Sequence, residues 1–297
     1  RLTAQPLLDI MSTVLYGSND CGHTVHCNPQ VDEAMRHVAR KLHLARHTVG
    51  DQQLWCAGDI ECRPTIDSKH VYLLDMARAL PPEHPAEVQH LKPIGGVVFY
   101  RMLRPEFLQK LKALDMPSLS ADGLSNWGRG PGSREHNTNI RLATRFLVSR
   151  VIPRLVEDIK ANKEVFKQSV SSFVHQAGVN IRHIGLLRHL LREEADVQQM
   201  LLKEMISRTL KTLARNELRQ FRTTTTDDTI QDCIIRLLNS AWGAQRNSRD
   251  FWHREILPLV VRKYGNKALL PAEHEDLLKS CRPHLCHIVQ LTAQATP

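Results

Sequence analysis

Over the first hundred positions apolar residues alternate with polar ones in short runs; from about Glu135 they recur every three or four positions. A period of two marks strands and a period near 3.6 marks helices. The early part predicts two hairpins around one helix. Thr13–Tyr16 is apolar and ends at the turn-rich Gly17-Ser18-Asn19-Asp20-Cys21-Gly22. The return strand is His23–Cys27, where Thr24 and His26 alternate with Val25 and Cys27. Leu54–Thr65 and Val71–Met76 make the second hairpin through the polar turn Asp67-Ser68-Lys69-His70, with Tyr72, Leu74 and Met76 opposite Val71, Leu73 and Asp75. Between them Asn28-Pro29 starts a helix reaching about Leu44, with Asp32 and Glu33 in its first turn and Val31, Met35, Val38 and Leu42 as its apolar stripe.

Pro81-Pro82, Pro85 and Pro93 interrupt regular structure, and Gly95-Gly96 opens an apolar stretch to Tyr100. Residues 115–134 are rich in Pro and Gly and are expected to form a long exposed loop. Beyond it Ile140, Ala143, Leu147, Val151 and Leu155 share a helix face. Helices are predicted over Val165–Gln176, from Ile181 to Leu191, from Val197 to about Phe221, and over Thr229–Ala241, Arg249–Tyr264, Ala272–Lys279 and Pro283–Leu291. Gly178 suits a helix stop and Asn180 a helix cap. No repeat of fixed period is present. The expected fold class is α+β: a lobe of short strands and hairpins over 1–103, a Pro/Gly-rich connector over 104–134, and an all-helical lobe over 135–297.

A chain of 297 residues buries enough surface to hold a core without disulfides. Seven cysteines, odd in number and without a framework pattern, indicate free thiols and a cytoplasmic location. No apolar run is long enough to span a bilayer, so no membrane span is expected. Arg1 is neither Met nor preceded by a signal peptide, as expected of a piece of a longer protein. The formal net charge of +9 is uneven: residues 1–100 hold 9 Lys/Arg against 11 Asp/Glu, and residues 101–297 hold 31 against 20. That excess suits an anionic partner or a solvated basic face.

Three segments resemble the CLU (clustered-mitochondria, Clueless-type) family. Val14-Leu15-Tyr16-Gly17-Ser18-Asn19-Asp20-Cys21-Gly22-His23-Thr24-Val25 is similar to the family's Tyr-Gly-Ser-x-Asp-x-Gly-x-Thr-Val. Glu61-Cys62-Arg63, Val71-Tyr72-Leu73-Leu74-Asp75 and Pro81-Pro82 resemble its Glu-Cys-Lys segment, Tyr-x-Leu-Asp strand and paired prolines. His175-Gln176-Ala177-Gly178-Val179-Asn180-Ile181-Arg182-His183-Ile184-Gly185 is similar to its His-Gln-x-Gly-Ile-Asn-x-Arg-x-Leu-Gly. Arg63 replaces the family Lys, and Asp67-Ser68-Lys69-His70 replaces its usual Asp-Gly-Arg turn. The resemblance implies a divergent CLU domain. It further implies a cytosolic protein that associates with messenger RNAs for mitochondrial proteins, affects mitochondrial distribution and has no catalytic role.

The individual motifs favour structure over chemistry. The Gly17–Gly22 turn lacks the Gly-Lys-Ser/Thr of a phosphate-binding loop and opens a strand, so Asp20 is expected to bond its own backbone. Asp75, on an apolar strand, is expected to be a structural carboxylate paired with an Arg or backbone donors. Cys21, His23, His26 and Cys27, and Cys281, His284, Cys286 and His287, match no standard zinc spacing, so no metal or other cofactor is expected. His175, Gly178, Asn180 and Arg182 fit a turn between helices.

One pattern invites a ligand. Arg208, Lys211, Arg215, Arg219 and Arg222 fall on one face of the helix starting near Val197, with Leu202, Met205, Ile206, Leu213 and Leu218 inward. Like charges four apart repel by a few tenths of a kcal/mol, so about that much favours an anion beside them. RNA phosphates or acids of a neighbouring helix would both serve. Aromatic residues are only 5 %, which supplies base stacking poorly. The expected function is a non-catalytic module associating with RNA or ribosomes, and no DNA partner is expected. The alternatives are a protein–protein scaffold, with protein partners in either case, and a nucleotide-dependent transferase using the Gly17–Gly22 turn and Asp75.

Overall fold

In the computed structural model, which describes residues 9–91, 95–220, 227–242, 246–285 and 288, helix α1 (Pro29–Leu42) begins where Asn28 can cap it. The Asn28 Oδ1 accepts from the amides of Gln30 at 3.0 Å and Val31 at 3.3 Å, satisfying donors that a helix start leaves open. The helix buries Val31, Met35 and Ala39. Val38, expected inward, is exposed.

Packing divides the described residues into two units, one of 9–89, 95–152 and 175–180, the other of 90–91, 153–174 and 181 onward. These limits differ from 103 and 134. Residues 104–134 belong to the first unit, where α2 (Pro105–Ala113) buries Phe107, Leu108 and Leu111. After it Leu119, Ser120, Ala121 and Asp122 are buried in their turn. The backbone over 115–134 is irregular, as expected, but it is not an exposed loop.

The first unit holds strands β1 (Tyr16–Gly17), β2 (His26–Cys27), β3 (His47–Val49), β4 (Gln52–Leu54), β5 (Glu61–Pro64) and β6 (Val71–Leu74). Four form an antiparallel sheet in the order β2-β1-β5-β6, and β3 pairs with β4. Both expected hairpins are present, Tyr16 opposite Cys27 and Cys62 opposite Leu73, but the strand expected over Leu54–Thr65 is only Glu61–Pro64, because Leu54 pairs with His47 in β3–β4. Strand β6 ends the sheet order among the described residues, and its Val71, Tyr72 and Leu73 are all exposed. Asp75 is exposed as well, with a left-handed φ of 55° and no side-chain bond to the 3-10 turn it precedes. The expected structural carboxylate, paired with an Arg or backbone donors, is not found among the described residues.

Two buried groups organise this unit. Tyr16 is wholly buried among Val31, Met35, Leu54, Ile60 and Cys62. Its hydroxyl donates to Asp32 Oδ1 at 3.2 Å and accepts from the Trp55 amide at 2.8 Å. Next to it Gly17 has φ 85°, and a Cβ there would stand 1.8 Å from the Ile60 carbonyl oxygen. The second group is Asp122, 0 % exposed. Its Oδ2 accepts from the Gly58 amide at 2.7 Å and lies 3.1 Å from His47 Nε2. Its Oδ1 lies 3.4 Å from Arg78 Nη2, while Arg78 Nε donates to Asp59 Oδ2 at 2.8 Å. Arg78 thus serves both Asp59 and Asp122.

Helix α3 (Ser133–Phe146) runs into a π-helical turn, Leu147–Val151, and α4 (Ile152–Ala161) carries the chain into the second unit. The expected stripe Ile140, Ala143, Leu147, Val151 and Leu155 is buried throughout. The helix predicted over Val165–Gln176 is two, α5 (Lys163–Gln168) and α6 (Val170–Gln176), split by an extended Ser169. Gly178, with φ 81°, follows; a Cβ there would come within 2.8 Å of the Phe107 backbone.

After a 3-10 turn, Ile181–His183, the second unit continues as α7 (Ile184–Leu190), α8 (Ala195–Gln220), α9 (Asp227–Trp242), α10 (Arg246–Phe251), a π-helical turn at Trp252–Ile256, α11 (Leu257–Tyr264), α12 (Pro271–Glu275) and α13 (Leu277–Cys281). Leu187, Leu201, Met205, Trp252, Ile256 and Val260 lie in its interior. There Arg188 and Glu273 form a buried two-pronged pair at 2.8 and 2.7 Å. No helix among the described residues is long and apolar enough to cross a membrane. The fold class is α+β, with short strands early and helices later.

Two substitutions test this packing. Gly17→Ala combines a left-handed backbone, which costs an L-residue about 1–2 kcal/mol, with a backbone clash, so urea unfolding should show a loss of at least about 2 kcal/mol. Asp122→Asn leaves Arg78 poorly answered and should cost about 3 kcal/mol. An unchanged midpoint in either variant contradicts the corresponding role.

Candidate nucleic-acid interface

Helix α8 changes character along its length. Leu201, Leu202, Glu204, Met205, Ile206, Ser207, Thr209 and Leu210 are all buried, so its middle turns are surrounded by α7, α11 and neighbouring helices. From Arg215 to Arg219 the side chains are exposed except for Leu218. The basic stripe crosses this transition, and its members fare differently.

Arg208 lies on the buried side and is answered internally. Its Nε donates to Glu204 Oε1 at 2.6 Å and its Nη2 to Ser171 Oγ at 2.6 Å. Lys211 is half-buried. Arg215 and Arg219 are exposed, and no ion pair holds either among the described residues. Arg222 lies outside the described residues.

A further cation joins the stripe from α11, which packs on α8. Lys263 is half-buried, and its Nζ donates to the Arg208 carbonyl at 3.0 Å and to Thr212 Oγ1 at 2.9 Å. Both acceptors are neutral. Burial, reinforced by the positive charges of Arg208, Arg215 and Arg262, pulls its pKa down to about 8. Glu204 is the acid of this neighbourhood, and it is engaged by Arg208. Helical spacing on one segment could not display Lys263, because its relation to α8 is made by tertiary packing. The adjacent Arg262-Lys263 pair was the available trace of it.

Among the other residues singled out, Ser18, Asp20 and Gly22 bond one another within their turn. Ser18 Oγ accepts from the Gly22 amide at 3.0 Å and donates to Asp20 Oδ1 at 2.8 Å. Asp20 Oδ1 accepts from the Thr24 amide at 2.9 Å, and this amide, followed by the Ser18 hydroxyl, holds the carboxyl down at about 2. The turn thus closes on itself around Tyr16 and Gly17. Tyr72 and Asp75 stand on the exposed β6 edge. The His175 carbonyl accepts from the Gly178 amide at 2.8 Å. Asn180 and Arg182 are half-buried. Among the described residues no three His, Cys, Asp or Glu side chains are grouped to hold a metal; Cys286 and His287 lie outside them.

Comparison with known proteins gives two family matches. The sequence model described as "Clustered mitochondria", CLU, matches residues 1–85. Residues 1–85 thus resemble the CLU family, over less than half of the chain. The model described as "Translation initiation factor eIF3 subunit 135" matches residues 167–282, a span that includes α8 and α11. Similar relatives are clustered mitochondria protein homologs. That of Neosartorya fischeri is 33 % identical over 136 residues, 42 % of this chain and 10 % of the relative. The Aspergillus oryzae protein is 34 % identical over 131 residues, 40 % of this chain and 10 % of its own length. In Sclerotinia sclerotiorum the identity is 33 % over 119 residues, 38 % and 9 % respectively. The chain thus spans about a tenth of the length of the CLU relatives it matches. No solved structure matches it.

The Lys263 environment has a consequence for stability. An unfolded lysine titrates near 10.4, whereas the folded one titrates at about 8. Between those values the unfolded chain binds more protons, so the contribution of this group to stability rises with pH. Below pH 8 both states are protonated and the penalty is complete. Urea midpoints at pH 7.5 and 10 should therefore rise more in the parent protein than in Lys263→Met. Equal changes in the two would contradict a desolvated ammonium.

Proposed function

We propose that this chain is a CLU-type, non-catalytic, cytoplasmic module that associates with RNA, at ribosomes or on messenger RNAs, through the basic end of α8. The observation that carries the proposal is the pair of exposed guanidinium groups of Arg215 and Arg219, without ion pairs among the described residues, beside a Lys263 ammonium held by neutral acceptors. Phosphates are the anions that such a row of cations meets along a nucleic-acid strand. Two lines of similarity support it: the CLU match, whose relatives are clustered mitochondria protein homologs, and the match of this same helical segment to a translation initiation factor subunit. Contacts of this kind position a backbone and read little sequence.

One observation favours a second reading, a protein–protein scaffold. Val71, Tyr72, Leu73 and Met76 expose apolar surface at and just beyond the open edge strand β6, where an extended segment can add a strand. The transferase alternative has no comparable support, since the Gly22 amide bonds Ser18 and Asp75 faces water.

Fluorescence anisotropy with a single-stranded RNA at 50 and 200 mM salt tests the main proposal. Each phosphate contact contributes a slope of about −0.7 in log K against log salt. Arg215→Glu/Arg219→Glu should weaken binding at least about tenfold and flatten that slope by about 1.4. No affinity at 50 mM salt would overturn the proposal. Partners retained after nuclease treatment and lost with Tyr72→Lys would establish the scaffold instead.

A further inference from the structure

We propose that Lys263, Arg262 and Arg215 form a site for one phosphoryl oxyanion, filled by a backbone phosphodiester of the bound RNA. This rests on the RNA reading and adds a specific anchor to it, drawn from two helices.

The ammonium of Lys263 is fixed in advance. Two of its three N–H bonds are directed to the Arg208 carbonyl and Thr212 Oγ1, and the third has no acceptor among the described residues. An exposed lysine loses side-chain freedom when it grips an anion; this one has lost it in folding, so more of the attraction is expressed as affinity. Charge balance points the same way. Arg208, Arg215 and Arg262 all bear on Lys263, and Glu204 gives its carboxylate to Arg208. Burial first, and these positive charges after it, disfavour the charged form of Lys263, whose two acceptors are neutral.

A phosphate suits these three cations in chemical terms. Its tetrahedral oxygens can accept from an ammonium and from guanidinium groups approaching on different sides. Arg215 on α8 and Arg262 on α11 are both exposed, so they are free to turn toward a ligand while Lys263 stays in place. A bound dianion or diester would favour the protonated ammonium and draw its pKa back toward the ordinary lysine range.

The test follows the Lys263 ammonium of the intact chain by NMR of its 13Cε, assigned by Lys263→Gln, through a pH titration. Alone, it should titrate near pH 8. With a saturating short RNA its midpoint should rise by about one pH unit or more. In anisotropy, Lys263→Gln should weaken RNA binding about five- to tenfold and lower the salt slope by about 0.7. If RNA binds and neither the midpoint nor the Lys263→Gln affinity changes, the site is overturned and the broader RNA proposal stands. If RNA does not bind at low salt, the broader proposal falls, and pyrophosphate decides the site. A midpoint raised by millimolar pyrophosphate preserves an oxyanion site, and an unmoved one removes it. A rise with polyglutamate but not with RNA or pyrophosphate overturns it in favour of an acidic protein.

Discussion

A cation drawn out of water costs several kcal/mol unless oxygen atoms replace its hydration, and this constraint shapes both units. In the first, Arg78 is answered by Asp59 and Asp122. In the second, Arg188 is answered by Glu273 and the Ala268 carbonyl, and Arg208 by Glu204. Each arrangement joins residues far apart in sequence, apart from Arg208 and Glu204, one helical turn from each other. Lys263 stands against this pattern. Its oxygens are a carbonyl and a hydroxyl, neither charged, and arginines surround it. The place where the rule is incompletely met is also where the basic helix reaches the surface.

Much of the local structure could be read from neighbouring residues. Asn28-Pro29 caps and starts α1, Asp67-Ser68-Lys69-His70 turns the second hairpin, and the Ile140 stripe packs inward. These features depend on residues within a few positions of one another. Expectations failed where distant contacts decide. Alternation in Val71–Met76 gave the strand, but not that Val71, Tyr72, Leu73 and Met76 are all exposed. Glycines and prolines around 115–134 implied exposure, yet Asp122 in that stretch supplies the carboxylate that Gly58, His47 and Arg78 share. Ser169 broke a helix whose apolar spacing continued across it.

The candidate site was half legible for the same reason. Four of the five stripe residues lie on α8 as spacing required, but spacing carries no information on which cations an acid has already claimed. Burial of the middle of α8 withdrew Arg208 and left Arg215 and Arg219 outside. The two family matches fall along the same division of character. The CLU match covers the strand-bearing beginning of the chain, where acids slightly outnumber bases, and the translation-factor match covers the basic helices.

Asp122 lies well beyond the last residue of the CLU match. During synthesis, His47, Gly58 and Arg78 all emerge from the ribosome before the carboxylate that they share. Until it arrives, the Gly58 amide and one face of the Arg78 guanidinium have water as their partner. Part of the polar interior of the matched segment is therefore furnished from downstream of its own boundary, by the one carboxylate that Gly58, His47 and Arg78 share.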